Sequence, residues 1–398
     1  MKRKLALLGP AFLVGAWQFG PGNLTTSSSA GASLGYSLLW VIVVATIFML
    51  VYTDMNIRIG LAAQGSSIET IKDKLGKAVG ALTGIGIFLV ALSFQVGNAT
   101  GAGVGLSLLF GGSVGLWAVV VTLVGLGLVW TRNYYKSLEM VILGLVGLML
   151  MTFVVTAFLS GPDWGEAARG FIPSLPGGQA GLLVVALIGT NFSVTAAFYA
   201  GYAIREKGTG RDRYRETTLT DTLAGVIAPG VMTILVIVAA AAVLQPQGAT
   251  VESPADMARV LEPTIGPLAS TIFALGFFGA AFSSLMMAAT AGGSVLSDAF
   301  GWGNRLSSNR VKAAVTVVYL FGATVAVIFG SSPVQLIIIA QALTIFVVPF
   351  VGLILLWVAN DNARMGQWAN SSWQNVLGAL GWLALLATAV RLVWVLFF

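Results

Sequence analysis

Long apolar stretches recur along the whole chain, and they constrain its fold more than any other feature. A helix needs about 20 predominantly apolar residues to cross a bilayer. This criterion predicts eleven membrane-spanning helices, near residues 6–30, 36–60, 79–107, 114–131, 137–160, 179–203, 217–244, 265–294, 312–330, 333–358 and 374–397. Only 9% of the residues are charged, whereas a soluble domain carries about 25%. We therefore predict an all-α polytopic membrane protein with a single transmembrane domain over residues 1–398.

The basic residues of the loops predict the orientation of these helices, because Lys and Arg concentrate on the cytoplasmic side of a membrane. With the N-terminus in the cytoplasm, all of the 21 basic residues except Arg169, Arg259 and Arg391 lie on that side. An odd number of spans then puts the C-terminus on the opposite side. The net charge of +6 is explained by this topology and does not indicate a nucleic-acid partner. We expect an integral protein of a bacterial inner membrane.

The charged loop Arg205–Glu216 divides the chain into two halves of five spans each. An odd number of spans per half makes the halves inverted relative to each other. We predict the first repeat and the start of the second within residues 1–204, the second repeat at 179–358, and an extra helix at 374–397. Each half opens with an interrupted helix, "FGPGN" in the first and "IGTNFSVT" in the second. Paired interruptions indicate the central site of a transporter, although the second stretch alone also fits an ordinary helix.

The first interruption brings polar backbone into the middle of a span. Pro21 removes a backbone donor, and Gly20 and Gly22 relax the chain on both sides. Freed amides and carbonyls are tolerated at this depth when they line a watery cavity or a ligand site. A half-helix resuming near Asn23 would direct the positive end of its dipole at that cavity. The alternative is a kink packed against neighbouring helices, but the hydroxyl residues that follow favour a binding site.

The stretch "GPAFLVGAWQFGPGN" resembles the first helix of the Nramp divalent-metal transporters, whose motif at this place is Asp-Pro-Gly-Asn. Further stretches resemble the same family along nearly the whole chain. They are "LGYSLLW" from Leu34, "LSLLFG" from Leu106, "YKSLEMVILGLV" from Tyr135, "TDTLAG" from Thr220, "FGAAFSSLMMAATAGG" from Phe278 and "QALTIFVVPFVGLILLWVAND" from Gln341. The resemblance implies eleven helices, the inverted-repeat fold of amino-acid/sodium symporters (the LeuT-type fold), and transport by alternating access.

The chain departs from that family where the chemistry takes place. Gly20 stands at the metal-binding Asp, and residues 193–195 (Ser-Val-Thr) stand at the sixth-helix Met-Pro-His motif. Gln95 and Asn98 occupy positions where the family has acidic residues for proton transfer, whereas Gln341 is retained. A divalent cation in a low-dielectric site needs anionic compensation, and softer metals favour sulfur or imidazole. The resemblance therefore implies the scaffold without the family's usual metal ligands.

A neutral pocket facing two helix amino ends suits a carboxylate. We therefore expect a secondary transporter of a small organic acid or an amino-acid-like solute. The expected binding residues are Gly20, Gly22, Asn23, Thr25, Thr26, Gln95, Asn98, Asn191, Ser193, Thr195 and Gln341. The alternative is retained transport of a divalent ion such as magnesium or manganese, largely hydrated and bound through Asn23, backbone near Gly20 and water.

Sodium is the candidate coupling ion. "AAFSS" (Ala280–Ser284) resembles the backbone and hydroxyl arrangement of a sodium site in related symporters, and it implies Ala280, Ser283 and Ser284 together with carbonyls near Trp17 and Gly20. Tight helix packing is the alternative explanation of these small residues. Proton coupling is less expected, since the chain has no His and membrane proton relays use Asp, Glu or His. We expect no cofactor.

Other functional classes fit less well. An intramembrane enzyme would need a nucleophile with a base, or a pair of carboxylates, whereas this chain has no His, no Cys and no evident carboxylate pair within its spans. A channel stays open as an alternative, because a polar pathway alone does not imply alternating access. A receptor or scaffold that has lost transport is a further alternative.

Overall fold

The computed structural model describes residues 18–63, 65–130, 135–174, 180–206, 208, 210–305 and 308–397. Within these residues the chain is helical and contains no strand. The helices are α1 Pro21–Leu34, α2 Leu39–Ala62, α3 Ser67–Leu75, α4 Lys77–Phe110, α5 Val114–Trp130, α6 Tyr135–Leu159, α7 Trp164–Arg169, α8 Ala180–Asn191, α9 Val194–Glu206, α10 Tyr214–Thr217, α11 Leu223–Val243, α12 Pro254–Arg259, α13 Glu262–Ile265, α14 Ala269–Ala299, α15 Asn309–Phe329, α16 Pro333–Leu343, α17 Val348–Ala359, α18 Asn362–Met365 and α19 Ser372–Phe397.

The apolar helices confirm the all-α membrane class. Among the described residues, seven helical stretches are long and apolar enough to cross a bilayer, and the pair α16 and α17, bent by 41°, makes up to eight. The helix α5 and the end of α6 are apolar but shorter. The predicted separation of the ninth and tenth spans is confirmed, since α15 ends at Phe329 and α16 begins at Pro333. The total of eleven spans stays a prediction.

The helical conformation is interrupted at both predicted places, and residues 6–17 of the first span lie outside the described residues. In the first, Gly20 has an extended backbone with φ −92° and ψ −171°, and α1 begins directly after it at Pro21. Proline is favoured at the first helical position, where no N–H is needed, so the helix resumes at Pro21 and not near Asn23. In the second, α8 ends at Asn191 and α9 begins at Val194. The alternative of an ordinary helix at this place is wrong.

Small residues let the helices that carry these breaks approach their neighbours closely. A Cβ atom added to Gly31 of α1 would lie 2.5 Å from the carbonyl oxygen of Ile237 in α11. One added to Gly60 of α2 would lie 2.6 Å from the carbonyl oxygen of Gly201 in α9. The backbones of α1 and α9, the second halves of the two broken spans, are thereby held against α11 and α2.

An ion pair near the end of α2 joins loops that are far apart in sequence. Arg58 and Asp54 form a salt bridge at 2.8 Å, and Arg58 also donates to the carbonyl oxygen of Trp368 at 2.6 Å. Tyr214 donates its hydroxyl to Asp54 at 2.5 Å. Burial, followed by the charge of Asp54, raises the pKa of Tyr214, so its phenol stays a donor. These contacts fasten α10 and the segment before α19 to α2.

Candidate functional site

A cavity of about 20 Å³ lies at the gap between the two broken spans. A space of this size holds about one water molecule. The lining residues are Gln18, Gly20, Gly22, Asn23, Phe94, Asn98, Thr190, Ser193, Ala196 and Gln341. All of them are uncharged. Six of the predicted binding residues, namely Gly20, Gly22, Asn23, Asn98, Ser193 and Gln341, are therefore brought together here.

Gln341 enters this region between two glycines. A Cβ added to Gly22 of α1 would lie 2.2 Å from the side-chain Cδ and Nε2 of Gln341, and one added to Gly97 of α4 would lie 3.0 Å from Nε2. The side chain is 2% exposed, and its Oε1 has no hydrogen-bond partner among the described residues. The missing side chains at positions 22 and 97 are thus what makes room for the amide of α16.

Gln18 is a cavity residue that our sequence reasoning missed. Its Nε2 donates to the carbonyl oxygen of Asn191, which links the first break directly to the second. Its Oε1 has no partner within the described part of the chain, and neither has Nδ2 of Asn98. A signal was present, because Gln18 is a lone amide in an apolar run two residues before Gly20. Since buried polar atoms normally have partners, these atoms and Gln341 Oε1 are the ones available to a ligand.

A buried network holds the two breaks together. Asn23 donates through Nδ2 to Oδ1 of Asn191 at 3.0 Å, and Ser27 donates to Oδ1 of Asn23 at 3.2 Å. The hydroxyl of Thr233 in α11 lies 2.9 Å from the Asn23 oxygen and 3.1 Å from the Asn191 oxygen. Thr233 was also missed, and nothing in its local sequence marks it. Most of the hydrogen-bonding groups of Asn23 and Asn191 are therefore occupied by contacts with each other and with α11.

The other predicted binding residues do not line the cavity. Thr26 donates to the carbonyl oxygen of Gly22 at 2.8 Å, and Thr195 lies 3.4 Å, oxygen to oxygen, from Ser193. Thr25 is buried and its hydroxyl has no partner among the described residues. Gln95 is buried beside Gly322 of α15, where a Cβ on that glycine would lie 2.7 Å from its Cγ.

The predicted sodium site stays a prediction. Ser283 donates its hydroxyl to the carbonyl oxygen of Ala280 at 3.1 Å, within one turn of α14. Ser284 is buried. Trp17, which was expected to supply a carbonyl, lies outside the described residues.

The helix ends at the gap do not form a simple anion site. Pro21 has no N–H, and at the start of α9 the amides of Val194 and Ala197 donate to the carbonyl oxygens of Phe192 and Ser193. The carboxyl end of α8 also lies here, and it carries the negative end of that helix dipole. Within the described residues there is no cluster of three His, Cys, Asp or Glu side chains that could hold a metal ion. The gap is therefore a set of neutral oxygens and amides with partial charges of both signs.

A family model described as "Natural resistance-associated macrophage protein-like" matches residues 11–395. The chain belongs to the Nramp family. This confirms the resemblance, and it makes the chain a member of a family of membrane transporters with a small-molecule or ion substrate, not of enzymes.

Several relatives of this Nramp chain are named for metal transport. The chain is 31% identical over 385 residues to a "Divalent metal cation transporter MntH" of Klebsiella pneumoniae (strain 342), covering 95% of this chain and 91% of the relative. It is 27% identical to the MntH of Yersinia pestis (strain Pestoides F), covering 95% and 92%.

Solved structures confirm the LeuT-type fold. The Eremococcus coleocola manganese transporter has a TM-score of 0.81 at 22% identity and covers 98% of this chain and 86% of its own. MhsT, solved in complex with L-phenylalanine, has a TM-score of 0.62 at 15% identity and covers 95% and 98%.

The expectation of an organic acid or amino-acid-like solute is wrong. The Nramp relatives that cover nearly the whole chain are divalent metal cation transporters by name, which favours the alternative. The physical reason lies in the helix ends. The expectation counted amide donors at two amino ends, but in the structure part of those amides bond within the chain, and α8 adds a carboxyl end.

Proposed function

We propose that this protein carries a divalent metal cation across a bacterial plasma membrane by alternating access, with the ion bound in the cavity between the two broken spans. The observation that carries the proposal is the convergence of neutral amide oxygens on that cavity. It is supported by the names of the relatives, which span nearly the whole chain. The predicted orientation, N-terminus in the cytoplasm and C-terminus outside, and the two repeats at 1–204 and 179–358 belong to the same proposal.

The ligand atoms favour a hard ion that gives up most of its water, because the cavity has room for about one water molecule. Gln18 and Gln341 offer amide oxygens, and the amide of Asn98 can present either atom, because oxygen and nitrogen are interchangeable by rotation. Carbonyl oxygen and water suit magnesium and manganese, whereas sulfur and imidazole ligands suit softer metals. The cavity therefore fits a magnesium-like ion better than zinc or copper.

The absence of a carboxylate from the cavity lining limits the affinity. Taking a doubly charged ion out of water is costly without a counter-charge. The carboxyl end of α8 at Asn191 compensates in part, since it carries a fraction of a negative charge. We therefore expect weak binding, which suits an ion that is abundant in the medium.

Uptake into proteoliposomes tests this function. The purified protein should transport magnesium and manganese, and substituting leucine at both Gln18 and Gln341 should lower uptake by about tenfold or more. Each lost charge-dipole contact of this kind is worth about 1.5–3 kcal/mol, and every 1.4 kcal/mol is tenfold. Thr25→Val, which changes a buried hydroxyl outside the cavity, is the matched control.

Two outcomes would contradict the proposal. Uptake of carboxylates without uptake of either metal would show that the cargo is wrong. Failure of internal unlabelled metal to accelerate entry of labelled metal would indicate a channel. Replacement of sodium by choline tests the predicted sodium site separately, because uptake that does not respond to it would rule out the site at Ala280 and Ser283.

A smaller change tests the placement of Gln341. Gly22→Ala would put a methyl group against the Gln341 amide, so we expect the amide to leave the cavity and uptake to fall by about tenfold. Gly97→Ala touches the same amide from α4 at a longer distance and should reduce uptake much less. Equal uptake by the two variants, at equal amounts of folded protein, would show that Gln341 does not hold the ion.

A further inference from the structure

A groove of about 600 Å³ lies between α2, α8 and α19, and it shares no lining residue with the ion cavity. One face of each helix lines it, over Trp40–Phe48, Gly181–Ile188 and Ala384–Arg391, together with Phe192. Its volume falls within the range of about 300–1,000 Å³ that is typical of sites for small organic molecules. Only 28% of the apolar stretch of α19 is buried within the protein, so the groove lies beside a helix that faces lipid.

The walls of the groove are apolar, and its hydroxyl and indole groups already donate hydrogen bonds within the chain. Ala384, Ala387 and Thr388 share one face of α19, and their small side chains open the space. Thr388 donates its hydroxyl to the carbonyl oxygen of Ala384 at 2.6 Å. Trp40 donates its indole N–H to the carbonyl oxygen of Ser174 at 3.0 Å. An occupant of this part of the groove would therefore be an apolar chain.

Arg391 is the charged residue of the groove. It follows Ala387 by one helical turn and has no hydrogen bond or ion pair among the described residues. It lies six residues before the end of α19 at Phe397, which is about 9 Å along the axis, and it shares the groove with Trp40, a residue typical of the membrane interface. The guanidinium of Arg391 beside an apolar groove matches an amphiphile with an anionic head group.

We propose that the groove binds an anionic phospholipid, with one acyl chain along α2, α8 and α19 and its phosphate paired with the guanidinium of Arg391. Guanidinium and phosphate form strong paired hydrogen bonds, and an arginine on a lipid-facing helix is otherwise costly. A second copy of the chain is a poorer occupant. A symmetric contact would use this same surface on both copies, and α19 contains no Asp or Glu to neutralise Arg391.

Thermal unfolding of the full-length protein in detergent tests whether the charge of Arg391 binds an anionic lipid. Added dioleoylphosphatidylglycerol should raise the midpoint by several degrees more than dioleoylphosphatidylcholine does. Arg391→Gln should abolish this difference, and Arg391→Lys should keep most of it. Arg169→Gln, at an exposed arginine outside the groove, should leave it unchanged. An undiminished difference in Arg391→Gln would overturn the proposal.

Photo-crosslinking tests the apolar part independently of unfolding. Phosphatidylglycerol carrying a photoreactive acyl chain should label peptides from α2, α8 and α19. Ala387→Trp should fill the groove and remove this labelling, whereas Leu386→Trp, at an exposed position of the same helix outside the groove, should not. The proposal would be refuted if Ala387→Trp were labelled as strongly as the unmodified protein. It would also be refuted if Ala387→Trp changed the oligomeric state of the protein while its preference for phosphatidylglycerol stayed intact. None of these measurements depends on which ion is transported.

Discussion

Replacing Gly20 with aspartate should raise the apparent affinity for manganese by about tenfold or more. Gly20 lines the cavity, and the resemblance to the Nramp motif places the metal-binding Asp of the family at this position. Its φ of −92° and ψ of −171° are accessible to any residue, and it caps α1, a position that aspartate favours. A hydrogen bond or contact to a charged group is worth about 1.5–3 kcal/mol, which corresponds to about 10- to 100-fold.

The matched variant Gly20→Asn separates charge from volume. Asparagine has nearly the same shape and also caps helices well, but it adds no charge, so it should leave the manganese affinity within a few-fold of the starting protein. Isothermal titration or metal-dependent uptake measures both variants. Equal gains in the two variants would mean that the cavity does not hold the ion, and no gain in Gly20→Asp would have the same meaning.

Gly60→Val should prevent accumulation of folded protein. A Cβ at Gly60 would lie 2.6 Å from the carbonyl oxygen of Gly201 and 3.1 Å from its Cα. Both are backbone atoms, so no side-chain rotation relieves the contact, and α2 and α9 would have to separate. Overpacking of a tight contact costs about 1–3 kcal/mol, and occasionally more. We expect a cost at the upper end of this range or above it, because the clash would separate two membrane-spanning helices along their length.

Gly147→Val is the control for this change. Gly147 lies in α6, and a Cβ there would meet nothing within 4 Å. Valine at this position should therefore leave the yield of monodisperse protein in size-exclusion chromatography close to that of the unmodified chain, whereas Gly60→Val should yield little or none. Similar yields from the two variants would show that α2 and α9 tolerate separation and that the close approach is not required for folding.

The breaks and most of the spans could be predicted from the sequence, because their causes are local. Pro21 stands between two glycines and has no backbone N–H, so it favours a break in the first span. The stretch Thr190–Ser193 places polar residues within an otherwise apolar span. The bend between α16 and α17 was not predicted. It follows a 3-10 segment at Thr344–Phe346, which has no strong local signal ahead of Pro349.

The cavity was predicted only in part, because much of it is made by contacts between residues far apart in sequence. Gln18 reaches Asn191 across 173 positions, and Thr233 joins the network from α11. No periodicity reveals such contacts. The type of cargo depends on them, because the number of amides left over for an anion is known only once the internal bonds of the chain are known.

The neutral lining of the cavity has a consequence for energetics. In the proposed transport by alternating access, a binding site with no charge of its own reorients uncharged when empty and with two positive charges when it holds a divalent ion. Its turnover is then electrogenic. At about 100 mV, negative inside, the voltage contributes about 2.3 kcal/mol per charge. For two charges this corresponds to roughly a 2,000-fold accumulation at equilibrium, so the resting voltage of a cell could concentrate the metal without a partner ion.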